Sequence, residues 1–212
     1  MNTATRPVIL ELLDLHFAYA AQPALVHGWS ASIGPGVTLV HGDTGSGKTT
    51  LLRLIAGTLS AGGRLTLAGV RLDNDAAAYR RHVFFCDSTA DAFEQVTARA
   101  WTVSLSAGDM GFSAARWRDL VSGFALAAHL DKPMYMLSTG SKRKVWLAAA
   151  LASRCALILL DEPTGGLDAP SIDCLWNALG DMARRSDQAV IVASGERVER
   201  VPLAGLIALP LH

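Results

Sequence analysis

The sequence has few cysteines, no net charge and no long unbroken apolar run. Cys86, Cys155 and Cys174 are its only three cysteines. They are widely spaced and form no C-x-x-C pair, which excludes a disulfide framework and a zinc ribbon. They read as buried hydrophobes in a reducing compartment. Lys+Arg and Asp+Glu both number 19. A chain without basic excess carries no nucleic-acid footprint, so no nucleic-acid partner is expected. The opening MNTATRPVIL has no apolar h-region of a signal peptide. The longest apolar stretch, Val145–Leu160, is broken by Ser153 and Arg154. It falls short of the about 18 residues that a membrane span needs, and it reads as a helix followed by a strand. By itself the chain is expected to be soluble and cytoplasmic.

Apolar residues are plentiful: 50% of the chain is hydrophobic. A large core is therefore expected, together with some surface that a partner covers. Strand-like runs fall at Val8–Leu15, Trp29–Ile33, Val37–His41, Arg64–Val70, Val83–Cys86, Ala156–Leu160, Ala189–Ala193 and Leu203–Leu209. Helical patterns fall at Leu51–Leu59, Ser141–Ser153 and Ser171–Arg185. From Thr89 to about Leu137 strand-like runs stop, and Ala, Trp, Arg and Leu recur at helical spacing. Trp101 and Trp117 in this stretch read as packing residues. The order predicts an α/β fold: a mostly parallel sheet flanked by helices, an N-terminal antiparallel β part and an inserted helical subdomain. The expected division is a single domain over 1–212. Residues 1–88 and 155–212 form its core, and 89–154 the helical subdomain.

One stretch organises the rest. GDTGSGKTT, Gly42–Thr50, follows an apolar run and precedes a helix-like one. It fits G-x-x-x-x-G-K-[ST], with Gly42, Gly47, Lys48 and Thr49 in the fixed places and Asp43, Thr44, Gly45 and Ser46 between them. A phosphate chain must approach backbone N–H groups, so side chains are absent at Gly42, Gly45 and Gly47. The following helix turns its positive end to the same phosphates. Lys48 adds a full charge, and Thr49, with Thr50 beside it, opens the helix. The pattern predicts binding of ATP with Mg²⁺, the Thr49 hydroxyl serving as a metal ligand.

Leu157–Leu160 runs into Asp161–Glu162–Pro163. Two carboxylates at the carboxyl end of a buried strand lie where open α/β sheets bind ligands. Asp161 is the expected Mg²⁺-side carboxylate. Glu162 points differently and is placed to polarise a water in line with the terminal phosphate.

These motifs, with LSTGSKRK at Leu137–Lys144 and LILLDEPTGGLD at Leu157–Asp168, resemble the ATP-binding cassette (ABC) ATPases, the motor subunits of ABC transporters. The resemblance runs through nearly the whole chain. It implies that Leu137–Lys144 is the signature motif, that Asp168 is the D-loop aspartate, and that Tyr19 stacks on adenine, with Phe17 the alternative. It also implies a second cassette, as homodimer or heterodimer, whose nucleotide faces Ser138 and Gly140. The implied membrane partner is a separate integral permease on whose cytoplasmic face the chain sits, with Trp101 and Phe93 as candidate contacts. The implied catalytic set is Lys48, Glu162 and whatever occupies the family's histidine position.

At two places the pattern is not met. The family's glutamine after the strand Val83–Cys86 is missing, and Asp87 or Ser88 stands there; Asp87 is the candidate metal-side replacement. The family's histidine is replaced by Ser194, and none of the six histidines is near it. Slow hydrolysis is therefore expected. The alternative reading is a degenerate, weakly hydrolytic cassette acting as the regulatory half of a heterodimer.

Overall fold

The computed structural model describes residues 7–86, 93–107 and 111–211. The chain opens with β1 (Leu10–Ala18) and β2 (Ala24–Ile33), which pair antiparallel. The strand β4 (Gly62–Leu67) adds antiparallel to the other side of β1, and the two-residue β5 (Val70–Arg71) closes the order β2-β1-β4-β5. Both pairings of β1 shift register next to Asp14, which has φ 53°. Such a bulge twists the strand locally. The turn between β4 and β5 falls at Ala68–Gly69, both at positive φ, which divides the single strand expected over Arg64–Val70.

The second sheet is parallel, in the order β6-β7-β8-β3-β9. Its strands are β3 (Gly36–His41), β6 (Val83–Cys86), β7 (Leu157–Asp161), β8 (Ala189–Ser194) and β9 (Leu203–Ala208). Because both faces of a parallel sheet are covered, its inner strands are almost continuously apolar, as in LILLD of β7 and AVIVAS of β8. Alternate residues go to opposite faces. Leu39, Ile158, Leu160, Val190 and Val192 pack into one core cluster, and Val40, Leu157, Leu159 and Ile191 into the other.

The helix α1 (Lys48–Ile55) lies on the second of these faces with β1 and β2, and α5 (Thr139–Ala152) and α6 (Ala169–Met182) lie on the first. Between β6 and β7 come α3 (Ala98–Ala107), α4 (Ala114–Gly123) and two short 3₁₀ turns. Six residues, Ala76–Arg81, form α2, which the sequence pattern did not indicate; the Asp75 side chain caps it by accepting from Ala78 N at 2.8 Å.

Trp101 is only 2% exposed. Its ring lies 4.4 Å from that of Trp146 and 5.6 Å from that of Phe93. That matches the packing role expected for it and overturns its use as a permease contact, because no face of the ring is left for a partner. Cys155 is buried as expected, whereas Cys174 is only half-buried. Among the described residues no helix is long and apolar enough to cross a membrane.

Candidate nucleotide site

The last residue of β3 is His41, and the loop begins directly after it. A side chain at Gly42 would put its Cβ 2.6 Å from Ser46 Oγ. Gly47 has φ +97°, and a side chain there would run into Leu25. Both glycines are thus required by the loop itself. The hydroxyl of Ser46 is buried and has no hydrogen-bond partner in the protein, an arrangement suited to a ligand that brings its own.

Lys48, the first residue of α1, is 7% exposed. Its Nζ donates to Gly42 O at 2.7 Å and to Asp43 O at 3.0 Å, and it pairs with Glu162 Oε1 at 3.2 Å. Thr49 Oγ1 donates to Asp161 Oδ2 at 2.6 Å. Hydroxyl and carboxylate oxygens are hard donors suited to Mg²⁺, which keeps several waters and needs few protein ligands. No cluster of three or more His, Cys, Asp or Glu that could hold a metal ion occurs among the described residues. Asp87, the other metal candidate, lies outside the described residues, as does Ser88.

Lys48 and Thr49 line an open cavity of about 490 Å³ with Thr44, Gly45, Gly47, Thr50, Glu162 and Gly195. A larger depression of about 760 Å³ lies between the two sheets, but its lining, from Pro7 to Leu211, holds no charged side chain. Tyr19 stands at the loop, its hydroxyl 3.0 Å from Thr50 Oγ1, and it is 43% exposed. Phe17 packs edge-on beneath it at 4.9 Å and joins the core. Of the two aromatics, Tyr19 is the more exposed.

Glu162 follows β7 with φ +42°, a left-handed backbone that costs a non-glycine residue about 1–2 kcal/mol. Its N–H donates to Ala193 O at 2.9 Å, and its Oε1 accepts from Gly195 N at 3.1 Å. The position where a histidine was sought is different from expectation. Ser194 is 5% exposed, and its hydroxyl accepts from Glu196 N at 3.0 Å, within its own turn. The backbone of Gly195 reaches Glu162 instead. A histidine does lie near, which corrects the expectation that none does: His41 pairs with Ser194 across β3 and β8, and its Nδ1 is 3.3 Å from Ser194 O.

The signature residues stand apart from this cavity. Ser138 caps α5, accepting from Ser141 N at 3.2 Å, and is exposed. A side chain at Gly140 would meet Gly166 O at 2.6 Å. Asp168 caps α6 through Ser171 N at 3.1 Å and pairs with Lys144 at 2.9 Å. Sequence reasoning missed the contacts of Gly195 with Glu162 and of His41 with Ser194, because each joins residues far apart along the chain.

A model of the ABC transporter family matches residues 26–165. The chain belongs to the ABC transporter family. The taurine import ATP-binding protein TauB of Pseudomonas entomophila is 33% identical over 203 residues, 94% of this chain and 77% of that one. The zinc import ATP-binding protein ZnuC of Halorhodospira halophila is 36% identical over 164 residues, 74% and 56% of the two chains. Among solved structures, the ATP-binding subunit of an ABC transporter superposes with TM-score 0.77 at 25% identity, covering 88% of this chain and 79% of its own. A cassette from Pyrococcus furiosus gives 0.74 at 22% identity, covering 94% and 96%; at that identity the likeness speaks for the fold. This ABC protein is an ATP-binding, ATP-hydrolysing subunit of a transporter and works with a membrane permease.

Proposed function

We propose that this ABC subunit drives transport by closing head to tail with a second cassette around ATP and Mg²⁺, and that hydrolysis reopens the pair. The cassette spans 1–212, with 89–154 as its helical subdomain, and sits peripherally on the cytoplasmic face beneath its permease. One observation carries this reading: Lys48, Thr49 and Glu162 line one cavity with the glycine-rich loop, where Lys48 pairs with Glu162 and Thr49 bonds Asp161 at 2.6 Å. Thr49 and Asp161 would hold Mg²⁺, which when bound neutralises charge on the phosphates. The loop amides and Lys48 grip the phosphate chain, and Tyr19 offers its ring face to the base. Glu162 orients and polarises the attacking water. Ser138 and Gly140, at the positive end of α5, face the partner's nucleotide.

The test is turnover and nucleotide-dependent dimerisation of the purified chain, wild type against Glu162→Gln. The amide keeps the shape and removes the base. Turnover should fall at least about 10²-fold, while dimers persist with MgATP. Retained turnover would overturn the role given to Glu162.

A second reading, the weakly hydrolytic half of a heterodimer, is favoured by the Ser194 hydroxyl, which bonds within its own turn rather than facing the cavity. Turnover that rises sharply on mixing with a second cassette supports it. Brisk turnover of the chain alone, unchanged by Ser194→His, removes it.

A further inference from the structure

The three successive basic residues that follow the signature each go to a different loop. Lys142 Nζ lies 2.6 and 2.7 Å from the two Glu94 oxygens, and Lys144 Nζ 2.9 Å from Asp168 Oδ2. Between them, Arg143 Nη1 donates to Glu162 O at 3.0 Å and to Gly165 O at 2.6 Å. Successive helix positions diverge by about 100°, so one turn of α5 ties down three segments. The flanking pairs fix the register of Arg143, and its guanidinium is the charged donor that reaches the backbone of the acid after β7.

That backbone needs holding. Glu162 sits at φ +42°, and such conformations persist only where the surroundings over-determine them. The N–H is fixed by Ala193 O. The carbonyl accepts from Gly165 N at 3.2 Å and from Arg143, and a charge-assisted bond is the stronger of the two. Gly165 completes the arrangement. It is not at positive φ, yet a side chain there would collide with the Arg143 guanidinium. The glycine keeps open the space that the arginine fills.

We propose that Arg143 is a positioning residue for hydrolysis, locking the peptide of Glu162 so that its carboxylate meets the attacking water, with Gly165 as its matched partner. This rests on the reading of Glu162 as the water-polarising acid. Arg143 touches no substrate; it acts by geometry, and misplacement of a catalytic group by about 1 Å costs on the order of 10²-fold. Because Ala193 O and Gly165 N still hold Glu162 when Arg143 is removed, the expected loss is smaller.

The experiment measures kcat and MgATP affinity of the purified chain for Arg143→Ala, Arg143→Lys, Gly165→Ala and the Arg143→Ala/Gly165→Ala pair. Arg143→Ala should lower kcat about tenfold and leave nucleotide affinity within about twofold. Arg143→Lys should recover part of the loss, since an ammonium reaches one carbonyl but not both. Gly165→Ala should reproduce the loss, and the pair should be no worse than the poorer single variant. Wild-type kcat for Arg143→Ala, a parallel fall in kcat and affinity, or additive losses in the pair would each overturn the proposal. Glu162→Gln separates the two claims. If it is inactive while Arg143→Ala is normal, only the positioning role fails; if it is active, the reading beneath it fails.

Discussion

The Lys48 ammonium lies 3.2 Å from Glu162 Oε1 while donating to two loop carbonyls. The lysine is nearly buried and the glutamate side chain is 48% exposed. A phosphate chain entering the cavity would therefore meet a cation that is already desolvated but has all three N–H donors engaged, so it must displace one of these partners to be bound. Lys48→Ala removes that cation and leaves the amides. We expect kcat/KM for ATP to fall about 10²–10³-fold, with weakened nucleotide binding by calorimetric titration. Unchanged affinity would mean that the loop amides alone carry the phosphates.

The loop's shape should prove as sensitive as its charge. Gly47→Ala forces a side chain into a left-handed position and against Leu25 on β2. Strain alone costs about 1–2 kcal/mol, and the Leu25 side chain must move out of the space that the new methyl takes. The expected outcome is a thermal midpoint lowered by several degrees and lost ATP binding. Leu25→Ala in the same chain should restore part of the midpoint by clearing the space. If the single substitution binds ATP normally, the close approach of loop and strand is not required.

Trp101 is a third test, of packing. Its ring meets Trp146, Phe93 and, at 6.5 Å, Phe84, and so ties α3 to α5 and to β6. Trp101→Ala should cost about 3–5 kcal/mol in urea unfolding, and Trp101→Phe considerably less. A cost under about 1 kcal/mol would show that the ring is not part of a shared core.

How far these contacts could be read in the sequence depends on how local they are. The strand–loop–helix unit from Val37 to Ile55 was legible because its apolar run, glycines and lysine are adjacent, and each is demanded by local backbone chemistry. The parallel sheet was legible because strands buried on both faces are apolar throughout. Short α2 was not, since six residues carry little periodicity and one Asp cap decides them. β2 begins at Ala24, before the expected Trp29, because pairing with β1 extends through residues whose own pattern is weakly strand-like. The contact of His41 with Ser194 spans 153 positions, and the reach of Arg143 to Glu162 depends on how α5 packs. Neither register nor packing is written in any single stretch.

Asp168 gives a prediction in pH. The Ser171 side-chain hydrogen bond, and then Lys144, hold its carboxyl at about 2, below the ordinary 3.8. A carboxyl depressed in the folded state favours folding above the unfolded value, and that contribution is lost as pH falls from about 4 towards about 2. Asp168→Ala removes both the cap of α6 and the Lys144 pair. In urea unfolding the gap between wild type and Asp168→Ala should be constant near neutrality and narrow below about pH 4. A gap that does not change down to about pH 2 would mean that the charge of Asp168 contributes nothing.

His41 pairs across β3 and β8 with Ser194, the residue at the position where the family's histidine is absent. The Ser194 carbonyl can only accept, so the 3.3 Å contact requires His41 to carry its proton on Nδ1. The next residue, Gly195, gives its N–H to Glu162 Oε1 at 3.1 Å. His41 therefore braces the peptide link that orients the carboxylate, from a strand end that also begins the phosphate loop. At 3.3 Å the bond is worth on the order of 1 kcal/mol, which corresponds to about fivefold in rate if it is expressed in the transition state. His41→Leu should lower kcat by about that factor with nucleotide affinity preserved, and His41→Asn, whose amide places a donor near Nδ1, should retain most of the rate. If leucine and asparagine behave alike, the imidazole only fills space beside β8, and Gly195 holds its geometry without it.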